Sequence, residues 1–114
     1  MTDLIARKCV PCRGDAQKLT QEEAQKMLPQ VPGWEVAEGP SSLHREFKFK
    51  NFKEALAFVN RVGEIAEFEG HHPNITLHDW NRVTLELYTL ATGGLHENDF
   101  ILAAKIGGIA CGSP

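Results

Sequence analysis

Between Asn51 and Gly70 the chain carries a full set of helix signals, and what flanks them leaves few possible folds. Asn51 followed by Glu54 makes a capping box. Phe52, Ala55, Leu56, Val59, Val62 and Ala66 recur at helical spacing, and Gly70 supplies the C-terminal stop. Just upstream, Leu43, Phe47 and Phe49 alternate with His44, Glu46, Lys48 and Lys50, the period-two signature of a strand with one buried face. Downstream, Asn74 to Leu77 reads as a short strand and His78-Asp79-Trp80-Asn81 as a hairpin turn. The return strand sets Val83, Leu85 and Leu87 on one face and Thr84, Glu86, Tyr88 and Leu90 on the other.

The same signals recur on either side. Thr20 and Glu23 form a capping box, Leu19 can staple to Ala24, Met27 and Leu28 extend the apolar face, and Pro29 ends the helix. Pro32-Gly33 is a turn, Trp34 to Val36 a short strand, and Gly39-Pro40-Ser41 the turn into the alternating strand. Gly93-Gly94 is a loop before a last helix from His96 to about Ile106, with His96 near its N-cap and Asp99 in its first turn. The order is helix-strand-strand-helix-strand-strand-helix. Successive hairpins predict an α+β fold, with a four-stranded antiparallel sheet and three helices packed on one face. Residues 1–18 lack periodicity and read as an irregular N-terminal arm, and residues 19–114 as a single domain.

Composition narrows the functions. The formal charge of −3 provides no basic footprint for nucleic acid. No apolar run approaches the roughly 20 residues of a membrane span, and the first residues, Met1 to Lys8, lack a signal-peptide hydrophobic region. The expectation is therefore a cytoplasmic protein. Cys9-Val10-Pro11-Cys12 has the spacing of half a zinc site or of a redox pair. A structural zinc site usually needs about four ligands, and no second CxxC or nearby CxxH exists, so no metal is expected. The remaining alternative is that two subunits each donate a pair.

Chemistry concentrates in Glu67-Phe68-Glu69-Gly70-His71-His72-Pro73, where the long helix hands over to a strand. Imidazole is the side chain whose ordinary pKa lies near neutrality, and nearby carboxylates set its tautomer and basicity. Adjacent histidines, Glu67 upstream and Asp99 downstream thus form a candidate acid–base set.

From about Leu19 to Ile109 the chain resembles the pterin-4a-carbinolamine dehydratase family. The resemblance is carried by Glu67, His71, His72, Pro73, Trp80, Asn81-Arg82-Val83, Gly93-Gly94-Leu95 and Asp99, with Asn51 to Ala55 and Phe58 to Val62 similar to its second helix. It implies dehydration of a 4a-hydroxytetrahydropterin to quinonoid dihydropterin, which recycles the pterin cofactor of aromatic amino-acid hydroxylation without metal or cofactor. It also implies His71, His72, Glu67 and Asp99 as catalytic residues, with Gly70, Pro73, Trp80, Tyr88, Thr89 and Leu90 at the substrate, and a homodimer or homotetramer. One position departs from the family. A third histidine is expected after Thr89, and this chain has Leu90. Three outcomes stay open: catalysis by the remaining pair, substitution by a nearby histidine such as His96, or a non-catalytic pterin-binding or dimerisation protein. Some members of the family also act as dimerisation cofactors of a transcription factor.

Overall fold

The computed structural model describes residues 19–37, 41–89 and 94–111. Helix α1, Gln21–Met27, opens on the predicted box: Thr20 Oγ1 accepts the Glu23 N–H, and Glu23 returns a bond to the Thr20 N–H. Those bonds lower the Glu23 pKa from its usual value. Pro29 does not simply end the chain's winding. It sits inside a 3₁₀ turn, Leu28–Gln30, where the missing N–H costs little.

Strands β1, Glu35–Val36, and β2, Leu43–Lys48, form the first hairpin, and α2, Phe52–Glu69, follows under an Asn51 cap whose Oδ1 accepts the Glu54 N–H. Strands β3, Asn74–His78, and β4, Arg82–Leu87, form the second hairpin, and α3, Glu97–Cys111, closes the fold. The strands lie in the order β1-β2-β4-β3, all neighbours antiparallel. The order of helices and strands along the chain is the one expected from the sequence, whereas the placement of β4 rather than β3 beside β2 was not read from it.

Register explains the layering. Leu43, Arg45 and Phe47 of β2 stand opposite Leu87, Leu85 and Val83 of β4, and Ile75 and Leu77 of β3 continue those rows. This face packs on Ala55, Phe58 and Val62 of α2 and Phe100, Leu102 and Ile106 of α3. Phe47 and Phe49 both stack against Phe58, which fixes the angle of α2 on the sheet. The opposite face carries His44, Glu46, Lys48, Thr84, Glu86, Thr76 and His78.

Three local features depart from expectation. Arg45 occupies the apolar face, where its guanidinium lies 4.3 Å from the centre of the Phe47 ring and donates to the Pro32 carbonyl. Gly33, at φ 90°, passes so close to that guanidinium that a Cβ would meet it at 2.9 Å. Helix α3 runs past the expected end near Ile106, through Gly107 and Gly108. Glycine weakens a helix by about 1 kcal/mol relative to alanine. The burial of Phe100, Ile101, Leu102, Ala103 and Ile106 outweighs that cost, as tertiary packing commonly does. Finally, Asp79 and Trp80 in the β3–β4 turn take φ of 49° and 55°, a conformation that suits glycine or asparagine far better than tryptophan.

Candidate active site

The site begins with the way α2 stops. Gly70 adopts φ 67°, ψ 28°, its N–H reaching the Ala66 and Glu67 carbonyls, and the His71 N–H bonds to Ala66 as well. These bonds satisfy the last helical carbonyls and swing His71 and His72 out of the helix axis. Pro73 then leads into β3. Glu67, in the last turn, faces the unfavourable end of the helix dipole. Its compensation is His72, whose Nε2 lies 3.1 Å from Glu67 Oε1. Both side chains are largely exposed, so this pair orients an imidazole more than it stabilises the fold.

His71 is held differently. Its Nε2 lies 2.5 Å from Asp99 Oδ1, and the Asp99 side chain has no solvent exposure. The other oxygen, Oδ2, accepts from the Thr89 hydroxyl and from the His96 N–H, each at 2.9 Å. His96 is the N-cap of α3: its ring Nδ1 accepts the Asn98 N–H at 3.0 Å while Asp99 bonds back to the His96 N–H. This is capping-box geometry with an imidazole as the outgoing acceptor. With Asp99 ionised, Oδ1 accepts from His71 Nε2–H, and a neutral His71 then carries its lone pair on Nδ1.

The structure thus brings together His71 with Asp99, and His72 with Glu67. Gly70 and Pro73 shape the segment carrying the histidines. Thr89 is buried and serves Asp99 directly, and Tyr88 is half-buried beside it at the end of β4. Trp80 is not brought to this cluster within one chain. It occupies the β3–β4 turn, beyond the His78 end of β3, while the histidines precede the Asn74 end. The five residues of β3 separate those ends by about 14 Å. Leu90, Gly93, Cys9 and Cys12 lie outside the described residues, as does the whole N-terminal arm. As the cap of α3, His96 uses ring Nδ1 to accept the Asn98 N–H. Among the described residues no group of three His, Cys, Asp or Glu side chains is placed to hold a metal ion. No helix among them is long and apolar enough to cross a membrane.

Sequence reasoning missed one strong contact beside the site. Glu69, the last residue of α2, is buried and meets Lys105 Nζ of α3 at 3.3 Å. Nothing in the spacing of residues 69 and 105 announces that ion pair.

The three-helix, four-stranded α+β fold thus carries a buried carboxylate–imidazole pair and an exposed one, side-chain types that serve as general acids and bases. The sequence profile of the Pterin 4 alpha carbinolamine dehydratase family matches residues 17–109, and the chain belongs to that family. A protein of Methylococcus capsulatus named as a pterin-4-alpha-carbinolamine dehydratase is 49% identical over 94% of this chain and 93% of its own length. The mitochondrial pterin-4-alpha-carbinolamine dehydratase 2 of Arabidopsis thaliana is also 49% identical, over 93% of this chain and 58% of its own length. Among solved structures, a transcriptional coactivator/pterin dehydratase from Brucella melitensis superposes with a TM-score of 0.76 at 34% identity, covering 82% of this chain and 99% of that one.

Proposed function

We propose that this chain is a 4a-hydroxytetrahydropterin dehydratase, a hydro-lyase that removes water across the C4a–N5 bond. The observation that carries this reading is the buried His71–Asp99 pair. Loss of the C4a hydroxyl with the N5 proton creates the C4a=N5 double bond and one water. One group must protonate the departing hydroxyl and another must accept the N5 proton. His71, with Nε2–H given to Asp99, offers Nδ1 as the base, and the imidazolium it becomes is stabilised by that carboxylate. His72, exposed and oriented by Glu67, is the acid that protonates the departing hydroxyl. Solvent exchange restores both protonation states after each turnover.

In this reading the chain works in the cytoplasm, recycling the cofactor of an aromatic amino-acid hydroxylase, as a homodimer or homotetramer. Supporting assembly, Phe52 and Leu56 lie exposed one turn apart on α2, and β3 is an edge strand. Stopped-flow dehydration of a synthetic 4a-hydroxytetrahydropterin tests the activity. Acceleration by the wild type and its loss in His71→Ala are expected. A rate equal to the uncatalysed one would refute it. Leu90 favours one second reading, a non-catalytic pterin-binding or dimerisation protein of the same fold. That reading is preferred if pterin binds while the dehydration rate stays at background.

A further inference from the structure

The carboxylates gathered at this end of the molecule differ in what they leave open to a ligand. Asp99 is buried and taken by His71, Thr89 and His96. Glu69 is buried against Lys105, and Glu67 is engaged by His72. Glu86 stands apart. It is exposed on the sheet face that the helices leave uncovered, and its Oε1 accepts from Asn74 Nδ2 at 3.1 Å. Asn74 and Glu86 are direct cross-strand partners, so register holds the pair together. A carboxylate has about four lone-pair sites, and the amide occupies one of them while fixing the plane of the group.

The position of this pair relative to the histidines follows from the chain. Asn74 is two residues beyond His72, a separation of at most about 7 Å. Tyr88 is two residues beyond Glu86 on the same face, again about 7 Å, and Thr89 next to it bonds Asp99. Both strands that carry the Asn74–Glu86 pair therefore lead directly into the acid–base cluster. A pterin ring system is long enough to bridge that interval. Its pyrimidine ring presents two adjacent donors, N3–H and the 2-amino group, at the end away from N5. A carboxylate offers two acceptors in the matching fork, the arrangement that makes paired N–H donors bind carboxylates so well.

Building on the dehydratase reading, we infer that Glu86, oriented by Asn74, binds the N3–H and 2-amino edge of the substrate and so directs C4a and N5 toward His71 and His72. Glu86→Gln keeps the side chain's length but places a donor where an acceptor is needed. A lost charge-assisted hydrogen bond corresponds to roughly a 10–100-fold change in affinity. The expected result is a KM raised by roughly that factor with kcat largely retained.

Fluorescence titration with 6-methylpterin and with 6-methyllumazine, which carries a 2-oxo in place of the 2-amino group, provides a readout that a merely structural effect would not move. The wild type should prefer the 2-amino ligand, and Glu86→Gln should erase that preference. If the wild type binds pterin and accelerates dehydration while Glu86→Gln keeps both KM and preference, this inference fails alone. If the wild type neither binds 6-methylpterin nor accelerates dehydration, it falls together with the dehydratase reading.

Discussion

His71 and Asp99 meet at 2.5 Å although 28 residues separate them in the chain. Their contact joins the end of α2 to the start of α3. Two independent helix-terminus motifs therefore set the distance on which the proposed chemistry depends. Gly70 in the left-handed region releases His71 from one helix, and the His96 cap turns Asp99 inward from the other. Thr89 at the end of β4 holds the remaining carboxylate oxygen, so helix, loop and sheet all converge on one side chain.

Asp99→Asn tests that convergence. Asparagine can still accept from Thr89 and from the His96 N–H, but its amide nitrogen would then face His71 Nε2. The imidazole would have to accept there and carry its proton on Nδ1, the wrong tautomer for a base. Loss of a positioned acid–base group typically costs about 10²–10⁴ in rate. The expected outcome is a kcat lowered into that range with KM little changed and circular dichroism unaltered. Retention of wild-type kcat would exclude His71 Nδ1 as the base.

Lys105→Met removes the ammonium facing the buried Glu69 carboxylate. Breaking a buried ion pair on one side typically destabilises by about 3 kcal/mol. A loss of that order in the unfolding free energy from urea denaturation is expected, and the double variant Lys105→Met with Glu69→Leu should recover much of it, because an apolar pair carries no desolvation cost. Since Glu69 immediately precedes Gly70, the single variant should also raise amide hydrogen exchange across Gly70 to His72. Equal stability of single variant and wild type would show that the pair contributes nothing.

The fold was largely legible in the sequence because its local signals agree with one another. The Thr20–Glu23 box, the period-two rows of Leu43 and Phe47, and the stop at Gly70 all specify the elements found. What escaped depended on packing. Arg45 reads as a break in the apolar row and is accommodated by Phe47 and Gly33, two partners that periodicity does not connect. The continuation of α3 through Gly107 and Gly108 opposes local propensity and follows from burial. At the site, Glu67, His71, His72 and Asp99 were legible as types and spacing. Their division into an exposed pair and a buried pair was not, because it depends on where the start of α3 lands against the end of α2.

Trp80 carries a conformational cost in plain view. A non-glycine residue in the left-handed region is disfavoured by roughly 1–2 kcal/mol, and Trp80 at φ 55° is 62% exposed, so little burial offsets it. Trp80→Gly should raise stability by about 1 kcal/mol in equilibrium denaturation. Strained residues persist where they serve a site, and this turn lies at the far end of β3 from the histidines of its own chain. If pterin affinity falls in Trp80→Gly while stability rises, the indole must act on the site of another subunit. Unchanged affinity and unchanged assembly would remove Trp80 from the substrate-binding set.

The last prediction concerns Leu90, where the resembled family has histidine. A leucine side chain transfers no proton, so pterin binding with weak to moderate dehydration is expected, together with a gain of activity in Leu90→His. His96 follows the Gly93-Gly94 loop, and its ring Nδ1 accepts the Asn98 N–H at the start of α3. His96→Ala should therefore behave as the loss of a helix cap, costing about 1 kcal/mol of stability, with most of the activity per folded molecule retained. The two variants separate the alternatives in one assay. If His96 has taken over the missing role, His96→Ala abolishes turnover and Leu90→His adds little. If the protein only binds pterin, neither change moves a rate that already equals the uncatalysed one. A gain in Leu90→His with a modest effect of His96→Ala is the expected pattern, because Glu67, His71, His72 and Asp99 already form both carboxylate–imidazole pairs.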